Sequence, residues 1–110
     1  MAIDYPRAMA AYKVGAEEGG AGSQHQLGWM YYRGHCVGVD FKQAWAWFEK
    51  AAAQDDPDAV GALGVMYSRG EGVTPSWRRA RELYQRAIEL GCSEAVEHME
   101  TLTNNIQKVS

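Results

Sequence analysis

Two stretches of eight residues, LGWMYYRG at 27–34 and LGVMYSRG at 63–70, decide the fold of this chain because they are one motif repeated 36 residues apart. The match continues beyond them, since Ala44 returns as Ala80, and it extends more weakly toward both ends. A fixed offset of this size is the signature of a repeat architecture. We therefore divide the single domain at 1–110 into a half-unit at 4–20, full units at 21–56 and 57–92, and a half-unit at 93–106.

Each full unit has the apolar spacing of two amphipathic helices with a glycine-bearing turn between them. Pro57 and Pro75 suit the first turn of a helix, where a missing N–H costs nothing, and either Thr74 or Ser76 can cap the helix that follows. The half-units follow the same pattern. The sequence predicts six helices, at about 5–18, 22–33, 41–54, 57–68, 76–90 and 93–106.

Four glycines have predictable roles. Gly34 and Gly70 end their helices and are expected to adopt the left-handed conformation of a C-cap. Gly28 and Gly64 lie inside helices, where each costs up to about 1 kcal/mol relative to alanine. We expect that cost to be offset by close approach of an aromatic ring from a neighbouring helix. The rings that recur at suitable positions are Tyr12, Phe48 and Tyr84.

The segments LGWMYYRG, DFKQAWAWFEKAAAQ, LGVMYSRGEGV and WRRARELYQRAIELG together resemble the Sel1-like repeat family, which is related to the tetratricopeptide repeats. The resemblance implies an all-α, right-handed solenoid of antiparallel helix pairs. It also implies an adaptor or scaffold that holds protein complexes together. Two positions depart from the pattern: Cys36 stands where the second unit has Gly72, and Gly15 stands where the full units have Ala51 and Ala87.

If the first helix of each pair lines a concave groove, as in related solenoids, that groove is the expected site for a peptide segment or a partner's helix. Tryptophan, tyrosine and arginine dominate interface energetics. Structural roles compete with binding for the same residues. Trp29 can pack on a neighbouring helix, and Arg33 and Arg69 can stabilise the negative ends of their helices. The predicted contact residues are His25, Trp29, Tyr32, Arg33, Val65 and Arg69.

A structural or assembly role is the alternative function. The first helix has no preceding partner in this sequence, so Met9, Ala10, Tyr12 and Val14 could leave an apolar strip open. Such a strip would favour homodimerisation or stacking on other repeats.

Composition and charge argue against several other classes of function. A net charge of −3 and a sequence pI of about 5.5 disfavour nucleic acid as a partner. The predicted fifth helix is rich in arginine, but Glu82 can pair with Arg78, Arg79 or Arg86, so this helix is interpreted as a solvated outer face.

The sequence predicts neither an enzyme nor a cofactor or metal site. No phosphate-binding or nucleophile motif is present, and the histidines and cysteines lack metal-ligand spacing. No run of apolar residues is long enough to insert in a membrane. The two cysteines, Cys36 and Cys92, are expected to be free thiols, and with no secretory signal evident we expect a cytoplasmic location.

Overall fold

The structure is a computed structural model that describes residues 4–35, 37–92 and 94–109, with side chains up to residue 101. Within these residues the chain forms six helices and no strand, as the sequence predicts, and each end agrees to within three residues. The predicted start of the last helix, at 93, lies outside the described residues. The helices are α1 (Tyr5–Glu17), α2 (Ala21–Arg33), α3 (Phe41–Ala52), α4 (Pro57–Arg69), α5 (Trp77–Glu89) and α6 (Glu94–Val109).

The chain divides into two compact units, the first ending at Asp56 and the second beginning at Pro57. In the first unit α2 packs against both α1 and α3. In the second unit α5 packs against both α4 and α6, and α4 also contacts α6. The N–H of Asp40, just before α3, donates to the carbonyl of Tyr31 near the end of α2 at 2.9 Å. The turn therefore places the start of α3 beside the end of α2, as an antiparallel pair requires.

The 36-residue period extends to individual backbone hydrogen bonds. The bond from Asp40 to Tyr31 has its counterpart in the second unit, where the Ser76 N–H donates to the Tyr67 carbonyl at 3.1 Å. The turns that follow α1, α3 and α5 also share one bond. Its three copies run from Gly20 to Gly15, from Asp56 to Ala51 and from Cys92 to Ala87. The repeat therefore specifies the turns as well as the helices.

Helix starts are fixed by side-chain caps. Asp4, Asp40 and Ser76 each accept a hydrogen bond from the backbone N–H three residues later. Of the two caps proposed for α5, the structure selects Ser76. The expectation that Pro75 lies in the first turn of α5 is wrong, because it precedes the cap. Pro57 does begin α4.

Helices α2 and α4 end as predicted, with Gly34 at φ 75° and Gly70 at φ 69°, both left-handed. Gly72, in the turn that follows α4, is also left-handed at φ 76°. Cys36, its counterpart in the first unit, lies outside the described residues.

The two glycines inside helices face aromatic rings, as predicted. A Cβ atom built on Gly28 would lie 2.5 Å from Cε1 of Phe48, and one built on Gly64 would lie 2.6 Å from Cε1 of Tyr84. Real Cβ atoms essentially never approach other atoms so closely. Phe48 and Tyr84 are also the largest side chains that are fully buried. Each glycine therefore lets the ring of the next helix rest on the backbone.

The predicted apolar strip on α1 is smaller than expected. Met9 is only 6% exposed and belongs to the core of the first unit, together with Leu27 and Met30 of α2, and Tyr12 packs partly against that core. The expectation that Met9 is open is wrong because α1 turns this side chain toward α2. Val14, at 58% exposed, is the large apolar side chain of α1 that remains open among the described residues.

Candidate functional site

The last turns of α2 carry an aromatic surface that the sequence predicted in part. The ring of Trp29 meets the ring of Phe48 edge-on at a centroid distance of 5.1 Å, and it meets the ring of Tyr32 edge-on at 5.3 Å. The Tyr32 ring in turn lies 5.4 Å from that of Phe41. Phe48 is fully buried, whereas Trp29, Tyr32 and Phe41 are half-buried. Edge-on ring packing of this kind is favourable and fixes the ring orientations.

Arg33 completes this surface. Its guanidinium carbon lies 4.9 Å from the centroid of the Trp29 ring, a cation–π distance, and its side chain is exposed. Arg33 is also the basic residue in the last turn of α2, where a cation stabilises the negative helix end. Trp29 therefore packs on a neighbouring helix and Arg33 lies at the negative end of α2, as the structural explanations predict. Trp29 nevertheless remains partly accessible to solvent, and Arg33 is exposed. We call Trp29, Tyr32 and Arg33 the α2 aromatic surface.

His25 has an intramolecular partner. Its Nδ1 lies 2.7 Å from Oδ2 of Asp56, and the two side chains are 15% and 9% exposed. His25, one of the predicted contact residues, is therefore mostly buried and already engaged within the first unit. This contact joins the first half of α2 to Asp56, the last residue of the first unit. His25 therefore has a structural role beside the site.

The second unit does not reproduce the α2 aromatic surface. Val65 and Ser68 occupy the positions that correspond to Trp29 and Tyr32. Val65 is 8% exposed, so the expectation that it is open for contact is wrong, whereas Arg69 is exposed. The loss of both aromatic residues explains why no ring surface forms on α4.

Ser68 is exposed, and it forms hydrogen bonds within the second unit. The Tyr84 hydroxyl donates to Ser68 Oγ at 3.3 Å, and the Ser68 hydroxyl donates to the carbonyl of Val65 at 2.8 Å. Burial raises the pKa of the Tyr84 phenol, while the hydrogen bond with Ser68 and the charge of Arg69 act in the opposite direction. Tyr84 therefore keeps its proton and acts as a structural donor.

Sequence reasoning missed a polar group that organises the first unit. Gln24 is 5% exposed, and its amide donates to the Ala16 carbonyl of α1 at 3.2 Å. The amide of Gln54 donates to Gln24 Oε1 and to the Gly19 carbonyl, both at 2.9 Å. These bonds join the three helices that position the α2 aromatic surface. A glutamine at an otherwise apolar helix position was the signal available.

The described helices include none with the length and apolar character that crossing a membrane requires. A comparison with curated proteins gives no match. The chain resembles two solved structures at more than 30% identity. One is a Sel1 repeat protein from Oxalobacter formigenes, at 38% identity and a TM-score of 0.82 over 87% of this chain and 39% of that chain. The other is a protective antigen of uropathogenic Escherichia coli strains with an SLR fold, at 33% identity and a TM-score of 0.80 over 86% of this chain and 20% of that chain.

A third solved structure, cysteine rich protein B of Helicobacter pylori, shares the fold with a TM-score of 0.79 at 24% identity, over 86% of this chain and 71% of that chain. This chain thus spans about two fifths and one fifth of the first two relatives. The Sel1 repeat model matches residues 21–56 and 57–92, which is more than half of the sequence. Together with the paired helices and the aromatic rings that pack on Gly28 and Gly64, this match establishes that the chain belongs to the Sel1 repeat family.

Proposed function

We propose that this chain is a non-enzymatic protein-interaction module, an adaptor or scaffold, whose α2 aromatic surface binds a peptide segment or a helix of a partner protein. The observation that carries the proposal is the pair of half-buried rings, Trp29 and Tyr32, held in place from below by Phe48 and Phe41. Sel1 repeats commonly mediate protein interactions, which supports the same conclusion. The two-cysteine composition is compatible with the cytoplasm as its location.

The energetics of the surface favour binding. Trp29 and Tyr32 pack edge-on against each other, and each also contacts a ring of α3, so covering them with a ligand should cost less side-chain entropy than covering freely rotating rings. Arg33 adds a cation that can form paired hydrogen bonds with a carboxylate or a backbone carbonyl while its guanidinium stays on the Trp29 ring. Residues of these three types are enriched among those that contribute most to interfaces. Arg69, the matching cation of the second unit, remains a predicted contact.

Peptides selected from a random displayed library against the whole chain would test the proposal. Their affinities for the parent chain, for Trp29→Ala and for Arg33→Ala would be measured by fluorescence anisotropy. We expect Trp29→Ala to weaken binding by about tenfold or more and Arg33→Ala by a smaller factor. Lys50→Ala is the matched control, because Lys50 also lies over a tryptophan ring, that of Trp47, at 4.5 Å on α3. This control should leave affinity within about twofold.

Folding has to be controlled separately because Trp29 also packs on Phe48. Circular dichroism and urea unfolding of each variant would show whether the helices persist. If Trp29→Ala loses helicity, Arg33→Glu is the second variant, since this exposed side chain can be reversed in charge without opening the core. Peptides whose affinity is the same for the parent, Trp29→Ala and Arg33→Glu would place binding elsewhere and refute the proposal.

A further inference from the structure

Trp77 is an exposed tryptophan at a position where the preceding units carry a half-buried ring. The first residue of α3, Phe41, is half-buried and packs on Tyr32. Trp77 is its counterpart 36 residues later, and it is 50% exposed. The counterpart of Tyr32 is Ser68, which is too short to reach such a ring and bonds to Tyr84 instead. The second unit therefore has no ring at the position from which Tyr32 contacts Phe41 in the first unit.

Trp77 shares one hollow of α5 with three arginines. Trp77, Arg78, Arg81 and Arg86 line one shallow hollow on the outer face of α5, together with Glu82, Gln85 and Glu89. Within the part of the chain that the structure describes, neither Arg78 nor Arg81 forms an ion pair with an acid, so Arg78, one of the three arginines considered as a partner for Glu82, is not paired with it. Glu89 accepts a hydrogen bond from Gln85 at 3.4 Å. We call Trp77, Arg78 and Arg81 the α5 surface.

The charge of α5 contrasts with that of the rest of the chain. This helix carries four arginines and two glutamates, a formal charge of +2, whereas the whole chain carries −3, which leaves −5 for all other residues. An exposed tryptophan beside Arg78 and Arg81, which form no ion pair within the described residues, combines the residue types found at the energetic centres of interfaces. The positive charge favours an acidic ligand, and the Trp77 ring can contact an apolar side chain of that ligand.

We propose that the α5 surface is a second docking site, for an acidic segment of another protein that places an apolar side chain against Trp77. Its spaced carboxylates would pair with Arg78 and Arg81 while avoiding Glu82 and Glu89. Those two acids lie in the same hollow and would repel the continuous phosphate backbone of a nucleic acid. An acidic protein segment is therefore favoured over nucleic acid. This site is separate from the α2 aromatic surface, and either can fail without the other.

Nuclear magnetic resonance of the ¹⁵N-labelled chain would test this proposal. The probe is a synthetic amphipathic peptide of glutamate, leucine and alanine. The chain has four tryptophans, each with one indole N–H signal, and Trp77→Phe assigns the signal of interest. We expect a saturable shift of the Trp77 indole and of the α5 amides, while the other indole signals stay in place. No saturable shift at millimolar peptide would overturn the proposal.

Charge reversals on the same helix provide the matched comparison. Arg81→Glu should weaken peptide affinity by about tenfold or more. Arg79→Glu makes the same change in net charge, but the Arg79 guanidinium lies 5.9 Å from the Tyr67 ring centroid and does not line the hollow, so affinity should fall by less than about threefold. Equal losses for the two variants would show that only long-range charge attracts the peptide, and would overturn a defined site.

Three further results would also overturn the proposal. Tighter binding of a single-stranded oligonucleotide, with displacement of the peptide, would assign the surface to nucleic acid. Concentration-dependent dimerisation in sedimentation, broken by Arg81→Glu, would assign it to a second copy of this chain. A peptide-induced shift confined to the Trp29 indole would move the acidic ligand to the α2 aromatic surface. Unchanged circular dichroism of Arg81→Glu and Arg79→Glu is required before these comparisons are made.

Discussion

Replacing Gly64 by alanine tests the packing on which the repeat depends. On an open helix this change should stabilise the chain by up to about 1 kcal/mol, because glycine is a poor helix former. In this structure the new Cβ atom would lie 2.6 Å from Cε1 and 2.7 Å from Cδ1 of Tyr84. The ring cannot move aside, because it is 2% exposed and its hydroxyl is bonded to Ser68. Overpacking of a rigid core costs about 1–3 kcal/mol.

Two close contacts with a fixed ring place the cost near the upper end of that range, so we expect a net loss of about 2 kcal/mol in the free energy of unfolding. Gly22→Ala is the matched control. Gly22 also lies in a helix, α2, but a Cβ atom built there meets nothing within 4 Å. This control should gain up to about 1 kcal/mol. The two substitutions are chemically identical and should change stability in opposite directions.

Urea unfolding followed by circular dichroism measures both changes. A double-mutant cycle with Tyr84→Leu then isolates the contact: in that background the Gly64→Ala penalty should shrink by about 1 kcal/mol or more, because the two ring carbons are gone. If Gly64→Ala stabilises the chain as much as Gly22→Ala does, the ring does not need the glycine and the reasoning fails. A penalty that is unchanged by Tyr84→Leu would refute the assignment to this contact.

Three further predictions concern a turn, a cap and a titrating group. Gly70→Ala should cost about 1–2 kcal/mol or more in urea unfolding, because φ there is 69° and the added Cβ would collide with Pro75, whereas Gly38→Ala, with open space and no positive φ, should be nearly neutral. Asp40→Ala should lose about 1 kcal/mol because α3 loses its N-cap, and Asp40→Asn should keep most of it; equal losses would contradict the cap. Folding raises the pKa of the Tyr84 phenol above its usual value near 10, mainly through burial, so the stability that this group contributes is intact below about pH 10 and falls as the pH rises further. Tyr84→Phe should remove that part of the alkaline loss when unfolding at about pH 8 and about pH 11 is compared, and an unchanged loss would contradict the assignment.

The fold was predictable because its signals are local and occur more than once. Gly28 and Gly64 signalled close packing because each is unfavourable in a helix, and their recurrence at one period indicated Tyr12, Phe48 and Tyr84 as candidate rings. The structure places Phe48 and Tyr84 against the two glycines, and Tyr12 against neither. The sequence shows that Gly15 stands where the full units have alanine, but it does not show why. A Cβ atom there would collide with Oγ of Ser23, whose counterparts in later units are alanines, so glycine and serine form a matched pair. Such compensation between side chains on two neighbouring helices needs coordinates to be seen.

The sequence indicated which residues form the candidate site, but it did not indicate how exposed each side chain is. Residue type alone indicated Trp29, Tyr32 and Arg33. Periodicity then assigned Val65 to the same exposed set, and this was wrong because every residue of α4 from 59 to 66 is buried. The partner of His25 was equally hidden, since Asp56 lies 31 residues away in the sequence. Equivalent repeat positions share a backbone, but their exposure depends on neighbours that the period does not specify.

The two units show how one framework can carry different surfaces. In the first unit the half-buried rings of Trp29 and Tyr32 on α2 pack together, and Tyr32 also contacts the half-buried ring of Phe41 on α3. In the second unit, serine at the corresponding position, 68, cannot cover a ring, and the open ring belongs to α5 as Trp77. The same serine accepts the hydroxyl of Tyr84, which the first unit replaces with the hydroxyl-free Phe48. Differences at these few positions thus change which aromatic side chains are exposed, while Phe48 and Tyr84 keep their places against Gly28 and Gly64.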